Sequence, residues 1–385
     1  MKLRINHLTA ALVLVACALP ARADWPLIRG DANATGAVAA PLKGPLDIVW
    51  TYESGASAFE ATAAIVEGVV YVGDVDGTFH AVKLADGKAV WKRAYEDSGF
   101  ISGTAVREGR IYCVDFNGVV WALDAKNGDV VWKFETESSL YAAPNVDESR
   151  VLIVTDSGEL IALGIDNGKE IWRFSIDQPL RSWPTVVDGR ILVAGCDGLL
   201  HLVDAASGKD LETIDIGGPA DGMPAVMDGR VYFCTAGGVF HAMTITPLAS
   251  VWQYGQKGDG KEIHAAAATA QAIVLATHDN RVVALDPKDG KERWSFRLRA
   301  RADSSPVVVG NLAFVGTTRG RLHAIEMPTG EESWQTDVGG QFIASPAVSD
   351  GRIVIGNNDG VLYCIGSKAP STANSGPPQA ASDKD

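Results

Sequence analysis

A tryptophan returns about every 40 residues along this chain, at Trp50, Trp91, Trp132, Trp172, Trp252, Trp294 and Trp334. The spacings are 41, 41, 40, 80, 42 and 40 residues, and the doubled one is filled by a copy carrying Glu212 in place of the ring. A fixed period of this length means one supersecondary unit repeated, and no such unit buries its apolar face alone. The copies must stack, and function must be sought between or across them.

The copy after Gly103 reads most clearly. Short β-rich runs at Gly103–Val106, Ile111–Val114, Val119–Asp124 and Val130–Phe134 are separated by turns at Glu108-Gly109, Asn117-Gly118 and Asn127-Gly128. Asn-Gly and Asp-Gly between such runs signal hairpins, and a type I′ turn needs positive φ at both central residues. The turn between second and third strands recurs at Asp76-Gly77, Asn117-Gly118, Ser157-Gly158, Asp197-Gly198, Gly237-Gly238, Asp279-Asn280, Arg319-Gly320 and Asp359-Gly360. Eight turns imply eight units. The eighth stops near Gly366, before its fourth strand, while Leu46–Tyr52 is a tryptophan-bearing strand with no unit before it. If that strand completes the last unit, the array closes and no edge stays exposed. The expectation is all-β: an eight-bladed β-propeller of four-stranded antiparallel blades over residues 44–366, its ring closed by the N-terminal strand.

Residues 1–23 read as an export signal. Lys2 and Arg4 precede an apolar run, Leu8–Leu19, too short to span a bilayer, and Ala21-Arg22-Ala23 offers a small-residue cleavage site. A second reading stands beside it: Leu14-Val15-Ala16-Cys17 has the pattern of a lipoprotein signal, which would leave Cys17 acylated as a lipid anchor. Pro20 and the mature-looking start Asp24-Trp25-Pro26 favour cleavage after Ala23. No later stretch is long and apolar enough for a transmembrane helix. The expected location is the periplasm or envelope.

The signal holds three basic and no acidic residues, so its removal takes the formal charge from −13 to about −16. Such a charge opposes nucleic-acid phosphates and anionic lipid. Cys113, Cys196, Cys234 and Cys364 fall in four different copies at four different positions, which fits small apolar strand residues better than a disulfide framework. Residues 24–43 form a leader, and 367–385, rich in Ser, Ala, Pro and Lys, are expected to be a disordered tail.

Ala122-Leu123-Asp124-Ala125-Lys126-Asn127-Gly128-Asp129-Val130-Val131-Trp132 resembles the tryptophan-docking motif of pyrroloquinoline-quinone (PQQ)-type repeats, and the copies at Ala81–Trp91, Ala162–Trp172, Ala284–Trp294 and Ala324–Trp334 keep its outline. The resemblance implies that each outer-strand indole packs on a turn of the neighbouring blade. The opening Trp25-Pro26-Leu27-Ile28-Arg29-Gly30 is similar to the leader of many exported PQQ-repeat proteins, where it lies against the propeller; Trp25 is expected to plug an apolar patch. Two branches of the family compete. Quinoprotein dehydrogenases hold PQQ and calcium on the axis and usually carry two adjacent cysteines against the quinone, a pair this chain lacks. Small non-enzymatic propellers resembling BamB bind protein partners during envelope assembly. The expectation is an exported scaffold without cofactor; the alternative is a small PQQ-dependent oxidoreductase using calcium, or another ligand-binding enzyme at the channel mouth.

Loops entering the innermost strands ring that mouth. Aligned copies place Glu60, Ile101, Tyr141, Arg181, Asp221, Ile263, Asp303 and Ile343 in one column, and Ala61, Ser102, Ala142, Ser182, Gly222, His264, Ser304 and Ala344 in the next. Glu60, Arg181, Asp221, His264 and Asp303 are the candidate rim residues, against a reading in which they are solvated charges that never meet. His80, His201, His241 and His323 share one position in the third strand. With strands ~4.8 Å apart, rings so far from the axis cannot share one metal ion, so they are expected to pack between blades.

Overall fold

A computed structural model describes residues 24–39, 41–42, 44–55, 57–220, 222–256 and 265–367. The expectations for the signal and Cys17, for Asp221 and His264, and for 368–385 lie outside these residues. Among the described residues every regular element is a strand, and no helix is long and apolar enough to cross a membrane. Eight antiparallel sheets of four strands form the blades. Blade 1 runs outward through Ala64–Val66, Val69–Gly73, Thr78–Lys83 and Ala89–Ala94. Blades 2 to 7 repeat the order from Ala105, Asn145, Thr185, Ala225, Ala267 and Val307.

The second and third strands are apolar and buried along most of their length, because the blades pack face to face. The outer strands alternate and leave Val131, Ile171 and Leu211 exposed. Blade 8 takes three strands from the C-terminal end, Ala347–Ser349, Arg352–Gly356 and Val361–Ser367. Its fourth is Leu46–Glu53, antiparallel to Val361–Ser367. The ring closes as the orphan strand required.

The turns differ from expectation in one respect. At Asp76-Gly77, Asn117-Gly118 and their equivalents only the second residue has positive φ, as at Gly77 (83°) and Gly118 (94°). These are four-residue connections in which Gly77 N–H donates to Asp74 O, not two-residue type I′ turns. The type I′ pairs lie one turn earlier, at Glu67-Gly68 (52°, 76°), Glu108-Gly109, Asp188-Gly189, Asp228-Gly229 and Asp350-Gly351.

The indoles join the blades. Trp50 Nε1 donates to Leu84 O (2.8 Å), Trp91 to Ala125 O (2.9 Å), Trp132 to Ile165 O (3.1 Å), Trp172 to Ala205 O (3.1 Å), Trp252 to Pro287 O (3.0 Å) and Trp294 to Met327 O (2.7 Å). Each acceptor lies in the third turn of the next blade. A glycine there lies against the ring: at Gly168 (φ 65°) a Cβ would stand 2.5 Å from Trp132. A bulge accompanies each tryptophan, and the residue paired with it is small, Ala122 opposite Trp132 and Cys364 opposite Trp50.

Two joints depart from this plan. Glu212 faces a turn with no glycine, and its Oε1 accepts from Leu248 N–H (3.0 Å). Here a carboxylate accepts from the backbone, where elsewhere an indole donates to it, and the paired residue is Leu202 rather than a small one. Among the described residues no such turn receives Trp334, because the third and fourth strands of blade 8, Val361–Ser367 and Leu46–Glu53, come from different parts of the chain.

The leader does more than lie against the propeller. It runs round the inside of the ring, its carbonyls accepting from innermost strands in succession: Trp25 O from Ile65 N–H, Pro26 O from Val106, Ala32 O from Val186, Asn33 O from Val226, Thr35 O from Ala268 and Gly36 O from Val308. Ala37–Val38 then pairs parallel with Val308–Val309, giving blade 7 a fifth strand. Blade 3 is bypassed, and Val146 N–H is instead taken by the Asn145 side chain (2.8 Å). Trp25 is buried beside Ile65 in the largest apolar cluster.

Candidate functional site

The channel is a chamber of about 460 Å³ with the leader residues Ile28 and Arg29 among its walls. The largest share of the lining comes from a single column of the repeat, two residues beyond the expected rim column: Thr62, Gly103, Trp183, Met223, Ala265, Ser305 and Ser345. These positions carry small side chains in five of the seven cases, as convergence near an axis demands. A relay of hydrogen bonds fixes part of the ring. Ala265 N–H donates to Ser305 Oγ (3.1 Å), Ser305 N–H to Ser345 Oγ (3.1 Å) and Ser345 N–H to Thr62 Oγ1 (3.0 Å), carrying blade 6 through blade 8 to blade 1.

The structure separates the expected rim residues. Glu60 and Asp303 line the chamber, Asp303 paired with Arg301 at 2.7 Å. Arg181 instead pairs with Asp156 (Nε–Oδ1 2.6 Å) and sits 5.8 Å from the centre of the Tyr141 ring. Tyr141 and Ile343 are exposed apolar residues of these loops, and Phe116 is one in the turn between the second and third strands of blade 2, so the mouth offers aromatic and aliphatic surface interleaved with charge.

Arg29 was not singled out by the sequence reading. It is 1% exposed, and its Nη2 donates to Ala266 O (3.0 Å) and Pro306 O (2.6 Å), tying the leader to blades 6 and 7. Nε and Nη1 have no acceptor among the described residues. Burial pushes the guanidinium down to about 10, against a smaller opposing pull from Asp31, whose carboxylate accepts from Thr35 N–H (3.2 Å) and the Thr35 hydroxyl. Arg29 is still cationic at neutral pH. Only the Trp-Pro-x-x-Arg-Gly pattern hinted at a role for it.

The third-strand histidines hold blades together. His80 contacts Asp74 (2.9 Å) and Tyr52 (3.0 Å), the latter from blade 8, and His201 contacts Asp197 (2.9 Å). In blade 2 Trp121 fills the same position and donates to Asp115 Oδ2 (2.9 Å). His241 stacks on Phe233 with centroids 5.1 Å apart, its Nε2 buried without a partner among the described residues, and burial lowers it to about 4. Burial lowers His323 as well.

With its folded value below its unfolded one, His241 contributes stability in full above about pH 6.5. That contribution is lost as the pH falls towards 4, where the unfolded chain takes a proton that the folded chain refuses. The loss should be about 3 kcal/mol. Urea unfolding at pH 7 and pH 4.5 checks it: His241→Phe should show a markedly smaller drop than the parent, and an equal drop would refute the assignment.

A family model described as outer membrane protein assembly factor BamB matches residues 46–179, 132–209, 166–305 and 278–368. Comparison with curated protein sequences yields no match. Among solved structures, BamB from Moraxella catarrhalis superposes with a TM-score of 0.74 at 20% identity, over 84% of this chain and 100% of that one. Quinohemoprotein alcohol dehydrogenase from Comamonas testosteroni gives 0.75 at 16% identity, over 91% and 82%. A europium-containing methanol dehydrogenase gives 0.77 at 14%, over 90% and 98%. At such identities the likeness to these structures is one of fold.

Proposed function

Because the chain belongs to the PQQ-type repeat family whose model is described as outer membrane protein assembly factor BamB, we propose that it is an exported, non-catalytic propeller that binds a protein partner in the cell envelope. The observation that carries this reading is the match over nearly all of the ring, from 46 to 368. The mouth supports it. Tyr141 presents rigid aromatic surface beside Arg181, which pairs with Asp156, a composition suited to protein contacts.

The quinoprotein alternative is favoured by the dehydrogenase folds that superpose, but the residues here fit PQQ and calcium poorly. Among the described residues no cluster of three His, Cys, Asp or Glu side chains could hold a metal ion. Cys113, Cys196, Cys234 and Cys364 form no disulfide among the described residues and lie in separate blades.

Affinity capture from native envelope tests the proposal. The parent protein should retain an outer-membrane barrel assembly protein, and Arg181→Ala with Asp303→Ala should lower recovery at least several-fold. Undiminished recovery with the double variant would remove the rim from the interface. If the parent captures nothing and instead develops quinone absorbance with PQQ and calcium, the scaffold reading fails.

A further inference from the structure

Blades 2, 3, 4, 5 and 8 place an arginine at the head of the second strand. Four of these pin the next blade through the carbonyl that also receives the indole. Arg110 Nη1 donates to Ile165 O (3.1 Å) and Arg352 Nη1 to Leu84 O (3.2 Å), and Arg150 and Arg230 reach Ala205 O and Pro287 O in the same way. Arg190 is the exception, for its Nη1 donates to the Thr246 hydroxyl. The third and fourth strands of blade 5 pair on to Ile245 and Leu248, narrowing their turn to Thr246-Pro247, whereas pairing in blade 2 ends at Leu123 and Val130. Beside this narrowed turn, at the joint where Glu212 replaces the indole, a cleft of about 540 Å³ opens between blades 4 and 5.

The cleft combines an apolar wall with unmet negative charge. Val187, Val226, Met227 and Ile245 supply the wall. Asp188 (φ 48°) and Asp228 (φ 51°) hold the left-handed positions of the two flanking turns and are exposed. Neither carboxylate has an ion-pair or hydrogen-bond partner among the described residues. In the same turns of blades 2 and 3 an acid does have a cation: Glu108 lies 3.8 Å from Arg107, and Asp147 pairs with Arg150 at 2.8 Å. One guanidinium against two carboxylates leaves the cleft negative. A calcium ion would find too few oxygens in two carboxylates, and it would leave the apolar wall uncovered.

We propose that this cleft receives a lysine or arginine side chain from an extended segment of a partner protein, its stem against Val187 and Met227 and its charge between Asp188 and Asp228. Such a side chain is an apolar stem with a charged tip, so it meets both features of the cleft at once. The exposed amide of Asn33, from the leader, stands at the same cleft for the segment's main chain. The formal charge of −13 draws basic segments toward this protein. The rim loops enter the innermost strands at one end, and the two acids lie in turns that leave those strands at the other. This is therefore a second surface, on the face opposite the rim. Only the source of the side chain rests on the protein-binding reading.

The test uses the full exported chain with ¹³C at its methionine methyls, titrated with the peptide acetyl-Ala-Lys-Ala-amide. A second titration uses the norleucine counterpart, which keeps the stem and lacks the charge. The Met227 resonance, identified by its loss in Met227→Leu, should move saturably with the lysine peptide. The norleucine peptide should bind about tenfold more weakly, since each exposed carboxylate contributes up to about fivefold. Met223, which lines the axial chamber, should not respond. Asp188→Asn combined with Asp228→Asn should remove the preference for lysine; asparagine accepts the left-handed conformation, so the turns keep their shape. Glu108→Gln, in the equivalent turn of blade 2, should leave the preference intact. Free butylamine, a lysine tip without a main chain, should bind more weakly than the peptide. The rim variant Arg181→Ala with Asp303→Ala should bind the peptide as the parent does, so the two surfaces fail separately. The proposal is overturned by no saturable movement at Met227, by equal affinity for the two peptides, by a response at Met223 instead, or by butylamine binding as tightly as the peptide.

Discussion

A chain lacking residues 44–53 is expected to lose its cooperative thermal transition. The Leu46–Glu53 strand pairs along Val361–Ser367 and leaves that edge uncovered when removed. It is also the staple to blade 1. Trp50 donates to Leu84 O and lies over Gly87, and Tyr52 reaches His80. Apart from this strand, the bonds across the joint where the two ends of the chain meet are few: Ser345 N–H to Thr62 Oγ1, Arg352 Nη1 to Leu84 O and Phe59 N–H to Asn357 O among the described residues.

A point variant isolates the docking. Trp50→Ala should cost about 3–5 kcal/mol, the usual result for a buried tryptophan, against a total of about 5–15 for a domain. Trp334→Ala is the control. Its ring is half-buried and has no receiving turn among the described residues, so its loss should cost at least about 1 kcal/mol less. Thermal and urea unfolding of the three proteins would check this ranking. An unchanged melting temperature for the deletion would refute ring closure as the basis of stability.

What the sequence made legible was what local chemistry repeats. Tryptophans at a fixed period and a glycine or asparagine in each second turn define the blade count, and one strand in excess at the start defines closure. Turn type was less legible, because Asn117-Gly118 as a dipeptide does not say how many residues the connection spans; the structure uses four there and reserves two for Glu108-Gly109. The channel was the least legible. Column alignment identifies equivalent residues but not their depth: it offers the columns of Glu60 and Ala61, while the lining continues one column further, at Thr62 and Ser305. Arg181 shares the column but finds Asp156 and turns aside. Arg29 lies in a segment outside the repeat, and its partners are 237 and 277 residues away. No periodicity reaches across such a distance.

The same leader yields the sharpest expected change in local protection. In a chain starting at residue 39, the amides of Ile65, Val106, Val186, Val226, Ala268 and Val308 lose the carbonyls that now accept them. Their hydrogen exchange should quicken on the order of a hundredfold, since a fixed buried bond is replaced by contact with water at an opened channel end. Val146 is the internal reference. Its N–H is held by Asn145 rather than by the leader, so its rate should not change if the ring survives. If Val146 quickens along with the six, the leader is also required for the ring itself, in keeping with its burial of Trp25 and Ala34 and the grip of Arg29 on two blades. Unchanged exchange at all six would mean that the leader does not occupy the inner strands in solution. The effect should follow the order of the belt, because each bond is made to a different blade: Trp25→Ala loosens the first turn and should release Ile65 and Val106 while sparing Val308.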